Sequence, residues 1–222
     1  FGTSNETYLA IHQDSFGYGH YHFDLGSLVF FGKGAPLCGD WPSCYQPQIN
    51  QWYNHSTVCV GHAAKYRYQG RIKAWGLLPR VDYTRSRTYY DSGFPPNDTP
   101  PDDGAPPAEI PTNCWQRQAI LVKSADPAGA TYLILRDSVR DTKPTEFNLW
   151  TLSEGARIQK RRADLKGQYG VDMTVAFFVG PDEKPVIRPF GFGALAPELK
   201  MGESMDLNKG LALKADDAEL TL

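Results

Sequence analysis

The chain has 222 residues, 41% of them apolar and 22% charged, which is enough to bury a sizeable core without metals or disulfides as obligatory staples. Lys and Arg number 23 against 25 Asp and Glu, and this net charge of −2 argues against a nucleic-acid binder, which usually carries a basic face. The longest apolar runs, Ser27–Phe31 and Val175–Val179, fall far short of the roughly 20 residues that a membrane-spanning helix needs.

The predicted elements are short strands, each an alternating or β-branched and aromatic run bounded by Gly, Pro, Asn or Asp. In chain order they are Thr7–His12, Ser27–Phe31, Thr57–Val60, Arg71–Leu78, Gln118–Lys123, Thr131–Leu135, Thr145–Leu152, Asp172–Val179 and Val186–Phe190. No segment keeps a helical period for three or four turns, and only Ala156–Leu165 is ambiguous. Strands this closely spaced lack the long crossovers that parallel pairing requires, so the expectation is an all-β antiparallel sandwich occupying residues 1–222 as a single domain. Between Gly93 and Asn113, seven prolines and four acidic residues predict an extended loop, either solvated or wrapped against a partner.

The cysteines stand at 38, 44, 59 and 114, a spacing that fits neither a zinc knuckle nor a redox CxxC pair. Their even number predicts one or two disulfides in an oxidising compartment, with three full pairings open. The first residue is Phe1, with no basic segment leading into an apolar one, so the chain is expected to be a processed product or part of a longer protein.

All five histidines, at 12, 20, 22, 55 and 62, fall in the first 62 residues. In Gly19–Asp24 an alternating strand would throw His20, His22 and Asp24 to one face, and Tyr21 and Phe23 to the other. Asp40 follows one predicted strand and His55 enters another, so three strand ends can bring His22, Asp40 and His55 together. Two imidazoles and a carboxylate suit zinc, either structural or catalytic, and equally suit iron. A cupin is the rival for any HxH on a β scaffold, but its Glu after the second His is replaced here by Gly26 and Ser27.

The order His20-x-His22-x-Asp24-x-x-Ser27, then Gly32-Lys-Gly34, Pro36-Leu-x-x-Asp40 and Asn54-His55-Ser-Thr-Val58 resembles the β-sandwich domain of the heparinase II/III-like polysaccharide lyases, a superfamily that includes heparin, heparan and alginate lyases. The resemblance is close over residues 17–60 and departs at Asp40-Trp-Pro42 and His55-Ser-Thr-Val58. It implies a sandwich of the lyase supersandwich type, closing a cleft whose other wall is a helical toroid, and an acidic polysaccharide as substrate. It further implies that His20 lines the active site and that His22, Asp40 and His55 hold a zinc that is mostly structural. Tyr45, in the loop after Asp40, becomes a candidate acid or base.

Asp24 is expected to bond nearby amides or the metal shell, His12 and His62 to lack specific partners, Asp137 to end a strand, and Lys160–Arg162 to form a solvated face. The competing reading is a non-catalytic, zinc-stabilised sandwich that binds a glycan or a protein. An acidic polysaccharide is met outside the cytoplasm, so a secreted or periplasmic protein is expected, with neither a nucleic-acid partner nor a membrane span.

Overall fold

The computed structural model describes residues 5–13, 22–40, 52–61, 69–90, 114–126, 128–178, 186–189 and 218–221. The proline-rich stretch 93–113 lies outside them. The strands are β1 (Tyr8–Ile11), β2 (Leu28–Gly32), β3 (Ala35–Cys38), β4 (Val58–Val60), β5 (Gln69–Leu77), β6 (Val81–Tyr89) and β7 (Cys114–Val122). They continue as β8 (Tyr132–Val139), β9 (Thr145–Thr151), β10 (Ser153–Gln159), β11 (Arg162–Gly167), β12 (Met173–Ala176), β13 (Val186–Pro189) and β14 (Ala218–Thr221).

Every pairing is antiparallel, and the described residues contain no α-helix, so the protein is an all-β sandwich. One sheet runs β1-β2-β3-β9-β14-β13, with β4 also on β9; β5-β6-β7-β8 is a four-stranded meander, and β10-β11-β12 a three-stranded one. The turn between β2 and β3 shows how locally the chain is specified. Lys33 and Gly34 both have positive φ, 56° and 75°, as a two-residue turn matched to strand twist requires. Lys33 N–H and Gly34 N–H then donate to Thr7 Oγ1 and Glu6 O, anchoring the turn to the start of β1.

The main core forms where the three sheets meet: Leu28, Phe30, Leu37, Cys38 and Leu149 from the first, Leu121 from the second, Ala163 and Leu165 from the third. Burying each large aliphatic or aromatic side chain there contributes about 1.5–3 kcal/mol. A smaller cluster, Leu25, Val58, Val60, Tyr90 and Trp115, packs with Phe23 and Phe147 at one end and carries the histidine-bearing segments.

Several expectations need correction. The ambiguous Ala156–Leu165 is the β10–β11 hairpin, turning at Lys160 with φ 53°. Residues 22–24 are not in a strand, so alternation does not align His22 with Asp24. Cys38, Cys59 and Cys114 are buried, and none of the three is in a disulfide. Burial pushes the Cys38 thiol up to about 12.

Candidate functional site

The site is assembled along one edge of β9. Asn148 N–H donates to Thr57 O, Trp150 N–H to Ser56 Oγ and Leu152 N–H to Leu37 O, so alternate amides serve β4, then Ser56, then β3. Both β3 and β4 run antiparallel to β9, and the chain leaving β3 therefore heads toward the chain entering β4. Asp40 and His55 occupy that gap. This is the physical form of the expectation that strand ends would bring them together.

His55 is fully buried, and its Nδ1 meets Asp40 Oδ1 at 2.5 Å. An ionised carboxylate only accepts, so Nδ1 carries a proton, and in the neutral ring that leaves Nε2 as the acceptor. That Nε2 is buried and has no hydrogen-bond partner. The His22 ring lies alongside, with centroids 5.1 Å apart and planes at 53°. Burial, followed by the proximity of His55, holds His22 below the usual imidazole range against the opposing pull of Asp24 and Asp40.

Asp24 continues the cluster, and here His12 has the partner that the sequence did not indicate: His12 Nδ1 lies 3.0 Å from Asp24 Oδ2. Burial raises the Asp24 carboxyl, but the His12 hydrogen bond and the neighbouring imidazoles outweigh it, and its net pKa is lowered. Asp24 also supports its own turn, with its carbonyl accepting from Ser27 N–H at 2.7 Å while Gly26 N–H donates to His12 O at 2.7 Å. Gly26 has φ 78°, and a Cβ there would overlap the Trp115 ring.

The two histidine segments are tied together by a residue that sequence reasoning missed. Arg117, 1% exposed, donates through Nη1 to Gly26 O at 2.6 Å and to Ser56 O at 3.0 Å. Its Nε and Nη2 form a two-pronged pair with Asp137 at 2.8 and 2.9 Å, and Trp115 Nε1 donates to the same carboxylate at 3.0 Å. The guanidinium also lies over the rings of Trp115 and Phe147. Asp137 therefore stands inside β8, not at its end, and its partners are on the neighbouring strand. The available signal was a charge at an inward-facing position of two alternating strands.

Of the expected site residues, His55 meets Asp40 and lies beside His22, while His20 and Tyr45 lie outside the described residues, as does His62, for which no site role was expected. Among the described residues, no three His, Cys, Asp or Glu side chains are arranged as a ligand set for one ion. What the structure contains is a carboxylate–imidazole pair with a second imidazole beside it. The donor types and the unpartnered Nε2 of His55 fit a cation, which would satisfy that lone pair.

No family model and no curated protein matches this chain. Among solved structures it is similar to a heparan sulfate lyase of Pedobacter heparinus, with TM-score 0.55 and 12% identity over 97% of this chain and 30% of that one. A mutant of that lyase matches with TM-score 0.56, 12% identity and the same two coverages. A heparinase III gene product matches with TM-score 0.57 and 10% identity over 100% of this chain and 32% of that one. The likeness is one of fold, and this chain spans about a third of the length of those lyases.

Proposed function

We propose that this chain is the β-sandwich part of a polysaccharide lyase that cleaves a uronic-acid polymer by β-elimination. The observation that carries the reading is the meeting of Asp40, His55 and His22 on a fold similar to that of heparan sulfate lyases. The reaction removes the C5 proton, α to the uronate carboxylate, and breaks the C4–O4 bond, leaving an unsaturated sugar and a protonated O4. Its difficulty is the acidity of C5, which requires donors at the carboxylate as charge develops there. A base must reach C5 and an acid must reach O4.

In this reading His20 contacts the sugar, donating to its carboxylate or taking the C5 proton, and Tyr45 exchanges a proton at O4. His22, Asp40 and His55 would draw in around a zinc ion and hold it, and the ion would brace the end of the sandwich that they occupy. The low pKa of His22 keeps it neutral, as a metal donor must be, and Arg117 fixes the backbone of both histidine segments. A helical toroid domain of the same enzyme supplies the other wall of the cleft, and the protein works outside the cytoplasm.

The test uses the full-length protein with heparan, alginate and chondroitin-type polymers, following the ultraviolet absorbance of the unsaturated product. His20→Ala is expected to abolish turnover with the fold intact. Failure to cleave any uronate polymer with zinc present would favour the non-catalytic, glycan-binding sandwich.

A further inference from the structure

The β5–β8 sheet has a second face, turned away from the core and the histidine cluster. Along β7 the residues Trp115, Arg117, Ala119 and Leu121 are buried and face the core, so Gln118 and Ile120, both part-exposed, face the other way, as does Gln116, which is itself buried at 7% exposure. The register extends this outward set across the sheet in three rows. Arg71 lies opposite Arg87, which lies opposite Gln116; Arg85 lies opposite Gln118, which lies opposite Arg136; Tyr83 lies opposite Ile120, which lies opposite Ile134. Four arginines thus share one face. The only acidic residues of these strands, Asp82 and Asp137, share the parity of Leu121 and Arg117 and project the other way.

A face with this composition is unusual in a chain whose net charge is −2. Arg87 Nε donates to Gln116 Oε1 at 3.1 Å, which ties that row within the sheet and leaves Arg85 and Arg136 as the candidates to meet a ligand. Arg136 is exposed, and Arg85 Nε is buried without a hydrogen-bond partner. With strands about 4.8 Å apart, Arg85 and Arg136 stand about 10 Å from each other, a spacing that suits repeated anionic groups rather than one small ion. Guanidinium forks match carboxylate and sulfate oxygens two at a time. Between and beside them are groups suited to sugar rings and hydroxyls: Gln118, whose Nε2 donates to Tyr83 Oη at 3.0 Å, and Tyr132, 60% exposed.

We propose that the outward face of β5–β8 binds acidic polysaccharide at a site separate from the histidine cluster, with Arg85 and Arg136 holding carboxylate or sulfate groups and Gln118, Tyr83 and Tyr132 meeting the sugars. Choosing a polysaccharide over another polyanion rests on the lyase reading. The site would keep a long polymer attached while the histidine side acts on it.

The experiment measures calorimetric binding of heparin, alginate and uncharged dextran to the full-length protein over a range of NaCl concentrations, using parent, Arg85→Gln/Arg136→Gln and Arg85→Lys/Arg136→Lys proteins. The glutamine pair is expected to weaken binding to heparin or alginate about tenfold or more, the weight of one charge-assisted hydrogen bond. It should also lower the slope of log affinity against log salt by about 2, while the lysine pair keeps the parent slope. Dextran should not bind. Unchanged affinity and slope in the glutamine pair would overturn the proposal, as would a parent that binds neither acidic polymer. A glutamine pair that loses thermal stability but not binding would do the same, showing the face to be covered within the protein itself. If no uronate polymer is cleaved yet the glutamine pair loses heparin, the surface stands and the lyase reading falls; if cleavage occurs and binding is unaffected, the surface falls alone.

Discussion

Replacing Asp137 with Asn tests whether Arg117 organises the site as described. Asn keeps the shape, but it turns an amide N–H toward a guanidinium that is 1% exposed and removes the charge facing it. Breaking a buried, hydrogen-bonded pair from one side costs about 3–5 kcal/mol, a large part of the ~5–15 kcal/mol by which domains are stable. The variant should therefore unfold at a midpoint lower by about 1 M urea or more, with an unchanged m-value. Arg117→Met should be at least as severe, because it also strips donors from the buried carbonyls of Gly26 and Ser56. Combining the two should recover part of the loss, since the variant then buries neither charge alone. By contrast, Asp164→Asn breaks the exposed Arg162–Asp164 pair and should leave the midpoint where it was. The clamp is refuted if Asp137→Asn costs less than about 1 kcal/mol, the worth of a surface pair.

Gly26→Ala should cost about 2–4 kcal/mol by the same urea assay, combining a left-handed backbone with the Trp115 ring that its methyl would meet. His22 has a lowered folded pKa, so the unfolded chain takes up protons first. Stability should fall as pH drops below about 6.5, and His22→Gln should flatten that slope. The lowered pKa of Asp24 acts in a more acidic window: its contribution is present above the unfolded value near 3.8 and is lost below it, which Asp24→Asn should remove from the acid limb of a pH–stability curve. Cys38, pushed up to about 12 and buried with Cys59 and Cys114, should resist alkylation in the native protein at neutral pH and react once denatured; mass spectrometry showing rapid native labelling of the three would be decisive against their burial. One zinc per chain is expected by elemental analysis, with His55→Ala abolishing it.

The sequence disclosed those strands whose buried side chains alternate with polar ones or run continuously apolar, such as Leu28–Gly32 and Thr145–Thr151. It hid β6, because its inward positions include the buried Ser86 and Thr88 and its outward ones carry arginine, so no apolar period appears over Val81–Tyr89. Asp40 and His55 were legible as strand-flanking residues, since the turn chemistry on either side marks where β3 ends and β4 begins. The His12–Asp24 contact was not, because it depends on how a turn folds back through the Gly26 and Ser27 amides. Arg117 was missed for a similar reason. Its partners lie 20, 61 and 91 residues away, beyond any local pattern.

The shared edge of β9 has a consequence for how such a site can diversify. Asp40 is located by the exit from β3, and His55 by the entry into β4 and the Ser56 hydroxyl, each fixed against the same strand. Because each group has its own purchase on β9, a change in the segment flanking one leaves the other seated, so either can be altered without unseating its partner.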